Sequence, residues 1–593
     1  MRADLDQLAQ GAGSVAAMQR LCEAEQSKHI LLFHGVMVEA ARRFPAVHAE
    51  LDLADVWDVL GRVQREAPEV FRRVFLMPQL GAWAVDCLSS LTQAEQVSPA
   101  LRVDLARAGT FAAAGCIWAG LDFDLPLVLP DHQLILPGFG ALTISVRGDV
   151  RLRRRDARLE IETSRVLATL PEPVPVRIGV HDGEHVSLSV DLDATTPNLD
   201  RFRHRRMERL SKRDVRGWTE RISGAWRVLT DHHPDTAEAM SVAVQTIVPL
   251  QPDLAGSTVA ATSPAVFGAI AMSLAADDVT FAETLVHEFQ HLKLCGILDL
   301  FPLVQPGNGA LSYAPWRDDP RPVRGLLHGA YAYLGVTRFW RVQRWRMPPE
   351  QTLRGHAEFF RRCGETLAVV EGLLSSGRLT AEGRQFVEVA EERLRHWRRD
   401  AVPESARHLA SAASSEHRLT WEARHVSVDP RLVARLAEAW TAGKTPEPIE
   451  SASTPHRVKP AHQGPAHARG NLLTMRYADP ERFRTLLERE GTDGRAALRL
   501  SAADIALLHD DMPAAIAGYR AEIIRRPTGP EVWSGLAMAA GDSLPDPAAA
   551  MLRRRLPLVL AVHTAIHATH GSHSDPLDLA GWLADAEGTE SSR

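Results

Sequence analysis

The sequence predicts an α+β protein that is mainly helical and divided into several domains. Most of the 593 residues lie in stretches with apolar residues three and four positions apart, the period of an amphipathic helix. One block, residues 121–200, instead alternates apolar and polar residues between Gly and Asp turn signals, as antiparallel strands do. A chain of this length also exceeds what a single hydrophobic core supports, so we expect more than one domain.

We predict five regions along the chain. Residues 1–120 form an N-terminal helical region, and residues 121–200 form a small antiparallel sheet. Residues 201–440 are mostly helical and carry the motif discussed below, preceded by short strands in TIVPLQP, STVAATSP and VFGAIAMSLA. Residues 441–470 are rich in Pro, Ser, Thr and Ala without an apolar period, which predicts a disordered linker.

The fifth region, residues 471–593, is predicted to be a C-terminal helical module. Its small and aromatic residues fall much as in a tetratricopeptide (TPR) helix pair, at Tyr519, Pro527, Trp533, Gly535 and Leu536. A TPR-like unit would dock a peptide or a partner protein, whereas an ordinary helical hairpin would only pack. The sequence leaves both interpretations open.

Composition and charge exclude several classes of function. The net charge of −6 argues against a nucleic-acid partner, which usually requires a basic surface. The five cysteines are scattered without a CxxC pair, which argues against a disulfide framework, a zinc finger and an iron–sulfur cluster. The N-terminus lacks a secretion signal, and no apolar run reaches membrane-spanning length. We therefore expect a cytoplasmic protein with no membrane partner.

The strongest motif is HEFQH, residues 287–291, inside a predicted helix. His287 and His291 are four residues apart, so on a helix their imidazoles share one face and can hold one metal ion. Glu288 lies beside them and is the catalytic candidate, because in a zinc peptidase the glutamate at this position acts as the general base. Two histidines that serve only structure are the alternative.

A metal site requires a third ligand from elsewhere in the chain. The metzincin pattern fails, because Leu294 and Ile297 occupy the positions of its Gly and third His. No glutamate follows His291 before Glu350, which tells against the usual thermolysin-like spacing. Asp299, Asp318, Asp319 and His328 remain. We favour His328, which lies in an otherwise apolar helix; a core histidine bonded to a carbonyl is the alternative.

These ligands do not specify zinc, because two histidines and one further ligand also hold iron(II) in oxygenases. Such enzymes bind a 2-oxo acid, whose distal carboxylate needs a cation, most often Arg. The segment YAPWRDDPRPVR supplies Arg317, Arg321 and Arg324. Surface pairing with Asp318, Asp319 or other acids explains Arg317 and Arg321 equally well, and Tyr313 and Trp316 either line a pocket or simply pack.

The segments LVHEFQHLKLCGILDLFPL and YAPWRDDPRPVRGLLHGAYAYLGV resemble the HEXXH-motif domain family of peptide-modification systems. The likeness is specific over about residues 240–345 and looser over 20–440. It implies an enzyme that uses Fe(II), 2-oxoglutarate and dioxygen to hydroxylate the β-carbon of a residue in a ribosomally made precursor peptide. The chain lacks the cysteine motif of radical-SAM fusions, which implies a stand-alone member.

The resemblance also implies roles for individual residues. His287, His291 and His328 match the metal-binding histidines, and one of Arg317 and Arg321 would hold 2-oxoglutarate. Glu288 would orient the site as a neighbour of the ligands. The C-terminal helices have no counterpart in the family pattern and would bind the precursor peptide or a partner modifying enzyme.

Two alternative functions stay open beside the hydroxylase. One is an HExxH zinc metallopeptidase that trims a precursor peptide, with Glu288 as base and His328 as third ligand. The other is a non-catalytic scaffold of a peptide-modification complex. The arginine-rich segment and the missing downstream glutamate favour the hydroxylase over the peptidase, and the intact HExxH motif disfavours the scaffold.

Overall fold

The computed structural model describes most of the chain. The described residues are 2–171, 177–180, 186–202, 204–252, 258–307, 311–449, 456–458, 468–488, 500–525, 529–543, 546–571 and 574–587. They divide into two compact units, Met1–Leu303 and Val304–Arg593. The chain is mainly helical with small sheets, which confirms the predicted fold class at this level. The limits of the five predicted regions stay predictions.

The first 120 residues of unit 1 are helical, as the sequence predicts. Its helices begin at recognisable signals: the Ser14 hydroxyl accepts the Ala17 amide at the start of α2, and proline opens α3, α5 and α6. Their apolar faces share one core with the first sheet. The helices are α1 Arg2–Ala9, α2 Val15–Arg43, α3 Pro45–Glu50, α4 Leu53–Glu66, α5 Pro68–Leu76, α6 Pro78–Gln93, α7 Pro99–Ala106 and α8 Ala108–Ala119.

An antiparallel sheet follows, also as predicted. Four strands pair in the order β1-β4-β5-β6, and β2 pairs with β3 in a separate hairpin. Alternate residues of β1 are buried, so one face of this sheet packs on the helices. The strands are β1 Phe123–Leu129, β2 Gln133–Leu136, β3 Gly140–Thr143, β4 Gly148–Arg155, β5 Arg158–Glu162 and β6 Leu167–Leu170.

A second, mixed sheet supports the HExxH helix. Its order is β10-β11-β9-β8-β7; β8, β9 and β11 are parallel, and the outer strands β7 and β10 are antiparallel to their neighbours. The three predicted strands are present, but residues 177–192 belong to their sheet, not to a purely antiparallel one. The elements are β7 Arg177–Val180, β8 Leu188–Leu192, α9 Lys212–His232, α10 Pro234–Ala243, β9 Thr246–Pro249, β10 Ala260–Ala261, β11 Ala269–Met272 and α11 Asp278–Leu300.

Unit 2 is built from helices with three short strand pairings. Its principal core joins residues from Ala357 to Ala586, so helices on both sides of the predicted linker share it. The elements are β12 Leu311–Ser312, β13 Arg321–Pro322, α12 Val323–Gln343, α13 Thr352–Ser375, α14 Ala381–Trp397, α15 Glu404–His425, β14 Val426–Val428, α16 Pro430–Thr441, β15 His456–Val458, α17 Ala468–Ala478, α18 Pro480–Glu488, α19 Ala502–Leu508, α20 Met512–Arg525, α21 Pro530–Ser543, α22 Pro547–His570 and α23 Pro576–Glu587. The strands pair as β12 with β13, β14 with β15, and Val304 with Leu379 in an isolated bridge.

The predicted linker, 441–470, falls partly outside the described residues, at 450–455 and 459–467. Its described part holds β15, which pairs antiparallel with β14, and the first residues of α17. Pro527 of the TPR-like pattern is also outside the described residues, and the TPR assignment stays a prediction. No single described helix has the length and apolarity to cross a membrane; the bent pair α5–α6 meets that test only when taken together.

Candidate metal centre

The HExxH motif lies in the middle of helix α11. The Asp277 carboxylate caps this helix by accepting the amide of Thr280 at 2.7 Å and its hydroxyl at 2.8 Å. From Phe281 to Ile297 most side chains are buried, because the helix packs against α2, α9 and the mixed sheet. His287 and His291 are half-buried, so the motif occupies the part of α11 that leaves its imidazoles accessible.

The two imidazoles converge. The Nε2 atoms of His287 and His291 are 3.2 Å apart, and the rings are nearly perpendicular, with centroids 4.8 Å apart. Two nitrogens about 2.05 Å from one tetrahedral ion are separated by about 3.3 Å. The pair therefore has the spacing of two ligands of a single ion, and a cis pair in an octahedral site has nearly the same spacing.

Glu288 lies on the buried side of α11, next to the histidine pair. Its side chain is nearly inaccessible, and burial raises the pKa of the carboxyl to about 8, against a smaller lowering by a hydrogen bond from Thr262. Among the described residues, Oε2 of Glu288 has no hydrogen-bond partner. Thr262 directly follows β10, so the carboxyl lies where the helix meets the edge of the mixed sheet. A cation held by the two imidazoles would favour the ionised carboxylate.

Helix α11 brings two potential ligands together, the imidazoles of His287 and His291. Within the described residues, no three His, Cys, Asp or Glu side chains are placed to hold one ion. His328, the predicted third ligand, is half-buried on α12 in unit 2. Burial, with a smaller contribution from Arg324, lowers its pKa to about 4, so the imidazole is neutral, as a metal ligand must be. Its ligand role stays a prediction.

Two of the acids considered as ligands, Asp299 and Asp319, form ion pairs. Asp299, near the end of α11, is exposed and pairs with Lys28 at 2.6 Å as a surface ion pair. Arg317 and Arg321 both pair with Asp319, at 2.8 Å and 3.1 Å. This is the surface pairing that the sequence left open, and the same geometry shows that the two guanidinium groups close on one carboxylate.

The loop that carries these arginines is anchored at both ends in unit 2. Tyr313 and the imidazole of His417 share a hydrogen bond of 2.8 Å, and His425 binds the Asp318 carbonyl through Nε2 at 2.8 Å. Trp421, between those histidines on α15, packs edge-on against Tyr313 at 5.1 Å. The three α15 residues are four apart and form one stripe of the helix. We did not predict them, although the spacing in EHRLTWEARH marks that stripe.

Trp316, in the same loop, packs on the helix that carries His328. Its indole stacks on Tyr333 at 4.6 Å and covers Gly329, the residue after His328. A Cβ atom built on Gly329 would lie 2.4 Å from the indole, so only glycine allows this approach. The PWRDDPRP and LLHG segments of the sequence therefore pack directly against each other. Trp316 packs here, which was one of its two predicted roles.

No protein-family model and no curated protein matches this chain.

Proposed function

We propose that the protein is an iron(II)- and 2-oxoglutarate-dependent enzyme that hydroxylates the β-carbon of a side chain in a ribosomally made peptide. The main support for a metal site is the 3.2 Å separation of the Nε2 atoms of His287 and His291 on an HExxH helix. The resemblance of both motif segments to the HEXXH-motif domain family supports the reaction class, with His328 as the third ligand.

A carboxylate-binding pair of arginines favours this reaction over peptide hydrolysis. The reaction needs a cation for the distal carboxylate of 2-oxoglutarate, whereas hydrolysis needs no such group. Arg317 and Arg321 pair with the carboxylate of Asp319, so binding of 2-oxoglutarate would require one of them to release it. The Trp316–Gly329 contact fixes the middle of this loop to helix α12, which would hold the cosubstrate clamp in register with His328.

The chain's own residues would perform binding and orientation. His287, His291 and His328 would hold iron, which with 2-oxoglutarate and dioxygen supplies the oxygen atom that is inserted into a substrate C–H bond, leaving succinate and carbon dioxide. Arg317 or Arg321 would exchange Asp319 for the cosubstrate carboxylate. Glu288 is buried beside the two imidazoles and hydrogen-bonded to Thr262, and it would help to orient them.

The first test is metal retention. The full chain is loaded with Fe(II) under anaerobic conditions, dialysed, and assayed for iron, for the wild type, H287A, H291A and H328A. We expect about one iron per chain for the wild type and at least a ~10-fold loss of affinity for each variant, the lower end of the loss seen even for outer-shell partners. H48A, which removes a half-buried helical histidine from α3, is the matched control and should retain iron.

The second test is turnover. The iron-loaded chain is incubated with 2-oxoglutarate, dioxygen and a library of peptides, and succinate and peptide masses are measured. Succinate formation together with a peptide that gains one oxygen atom supports the proposal. Peptide cleavage without 2-oxoglutarate, which requires zinc and is lost in E288Q, would instead establish the zinc metallopeptidase.

A further inference from the structure

A groove of about 930 Å³ lies in unit 1, and its lining does not include the HExxH motif. Three segments form its walls: the β2–β3 hairpin, the residues that follow β8, and the segment His204–Leu210. The last segment is held in place by backbone bonds to the end of β9, from the Met207 amide to the Pro249 carbonyl at 3.0 Å and from the Gln251 amide to the Arg205 carbonyl at 2.8 Å.

One wall of the groove is the edge of a β-strand. All four residues of β3, Gly140–Thr143, line the groove; because side chains alternate between two faces, four consecutive lining residues mean that the strand edge borders it. The Ile144 amide donates to the His132 carbonyl at 2.9 Å, which sets the alternation of the ladder. In that alternation the backbone N–H and C=O groups of Ala141 and Thr143 point away from β2.

These outward groups are available for another strand. β3 pairs with β2 alone among the described strands, and Ala141 and Thr143 are both exposed. A strand with one open edge pairs readily with an extended peptide, whose main chain supplies the matching donors and acceptors. The hairpin is therefore a two-stranded sheet with room for a third strand inside the groove.

A second wall of the groove, His204–Leu210, presents positive charge. Arg205 and Arg209 are exposed on the groove, with Glu208 as the exposed acid between them. The other acids of the lining are already engaged. Asp193 is buried and accepts hydrogen bonds from two backbone amides, from the Thr196 hydroxyl and from Gln79. Asp191 is half-buried and lies 3.4 Å from the Arg177 guanidinium.

We infer that this groove binds an acidic peptide segment in extended conformation, which adds to β3 as a third strand while its carboxylates meet Arg205 and Arg209. The strand edge recognises the peptide main chain, and the arginines recognise the acidic side chains that point toward them. The inference rests on the proposed function only in taking that peptide to be part of the substrate. It assigns recognition to a surface of unit 1 separate from the histidine pair.

The test measures binding without metal or cosubstrate, so its failure is distinguishable from failure of the hydroxylase proposal. The probe is a fluorescein-labelled peptide of about twelve residues that alternates Glu with Val and Thr, titrated with the full chain by fluorescence anisotropy. We expect binding that weakens at high salt. The same peptide with Gln in place of Glu should bind at least ~10-fold more weakly, because the charge pairs are lost.

Protein variants test the arginine wall. R205E/R209E should weaken binding of the acidic peptide at least ~10-fold. R155E/R158E makes the same change of charge at two exposed arginines of the β4–β5 turn, outside the groove, and should leave binding within about twofold. Equal weakening by both variants would overturn the proposal, because binding would then depend on the net charge of the protein and not on the groove.

A chemical change in the peptide tests the strand edge without altering the protein. N-methylation of alternate residues removes the donors that would pair with β3, and should abolish binding while leaving the carboxylates intact. Unchanged binding of the methylated peptide would overturn strand addition. Equal or tighter binding of a single-stranded oligothymidylate that displaces the peptide would assign the groove to nucleic acid and overturn the peptide proposal.

Discussion

The contact between Trp316 and Gly329 predicts an unusual effect on stability when Gly329 is replaced by alanine. Replacing a glycine inside a helix by alanine normally stabilises a protein by up to about 1 kcal/mol, because the glycine backbone loses more entropy on folding. Gly329 lies inside α12, so helix propensity alone predicts that G329A is stabilising. The structure predicts the opposite, because the new methyl group would meet the indole of Trp316 at 2.4 Å.

The magnitude follows from the space available. An ordinary carbon–carbon contact is about 3.5–4.0 Å, so the indole must retreat by more than 1 Å. It cannot do so freely, because its ring is stacked on Tyr333 with centroids 4.6 Å apart. Overpacking of this kind costs about 1–3 kcal/mol, which exceeds the gain in helix propensity over most of that range. We therefore expect G329A to destabilise the protein by up to about 2 kcal/mol.

The assay is urea unfolding of the full chain, with G372A as the matched control. Gly372 is also inside a helix, α13, is exposed, and a Cβ there would meet nothing within 4 Å, so G372A should stabilise the protein by about 0.5–1 kcal/mol. Truncating the indole in W316A/G329A should restore the favourable effect of alanine relative to W316A alone. If G329A were as stabilising as G372A, the packing of the PWRDDPRP loop on α12 would be wrong.

Three further predictions concern buried charge and the loop anchor. Burial raises the pKa of Glu25 to about 7, although Lys28 lowers it. Ionisation of this carboxyl therefore destabilises the fold as pH rises from the unfolded pKa near 4.5 through 7, and E25Q lacks this loss. The unfolding free energy of E25Q relative to the wild type should therefore rise by about 2–3 kcal/mol from pH 5 to pH 8, with a matching rise in relative Tm. Arg469 is fully buried between carboxylates of α15 and α19, so R469M should cost about 3–5 kcal/mol in urea unfolding, whereas R476A, which breaks a surface pair, should cost less than about 1 kcal/mol. H417A should weaken 2-oxoglutarate binding by roughly 10-fold while iron retention is unchanged, because it frees one end of the arginine loop; equal loss of both would contradict an anchoring role.

Local pattern was enough to predict the helix of the candidate site. The spacing of His287 and His291 is a short-range feature, and the structure brings the two imidazoles together as expected. The short strands before the helix were likewise predicted from local composition. The mixed sheet was not, because the parallel pairing of β8 with β9 joins residues separated by two helices, which no local period encodes.

The sequence pattern did not identify the partners of the arginine loop either, because they are distant in the chain. His417 and His425 contact a loop about a hundred residues earlier in the chain, and their spacing on α15 does not identify what they bind. The pairing of Arg317 and Arg321 with Asp319 is local, yet the sequence offered several acids and no means of choosing among them. The open edge of β3 also depends on which strands pair, which is a property of the folded chain.

The most direct test of the central claim is a titration of the Fe(II)-loaded protein with 2-oxoglutarate under anaerobic conditions, followed by visible absorption. We predict a weak charge-transfer band that saturates with one equivalent of 2-oxoglutarate, is absent in H291A, and needs more 2-oxoglutarate in either R317A or R321A. Absence of the band in the wild type, with tight zinc uptake and cleavage of a generic peptide instead, would refute the hydroxylase proposal and assign the HExxH helix to a peptidase.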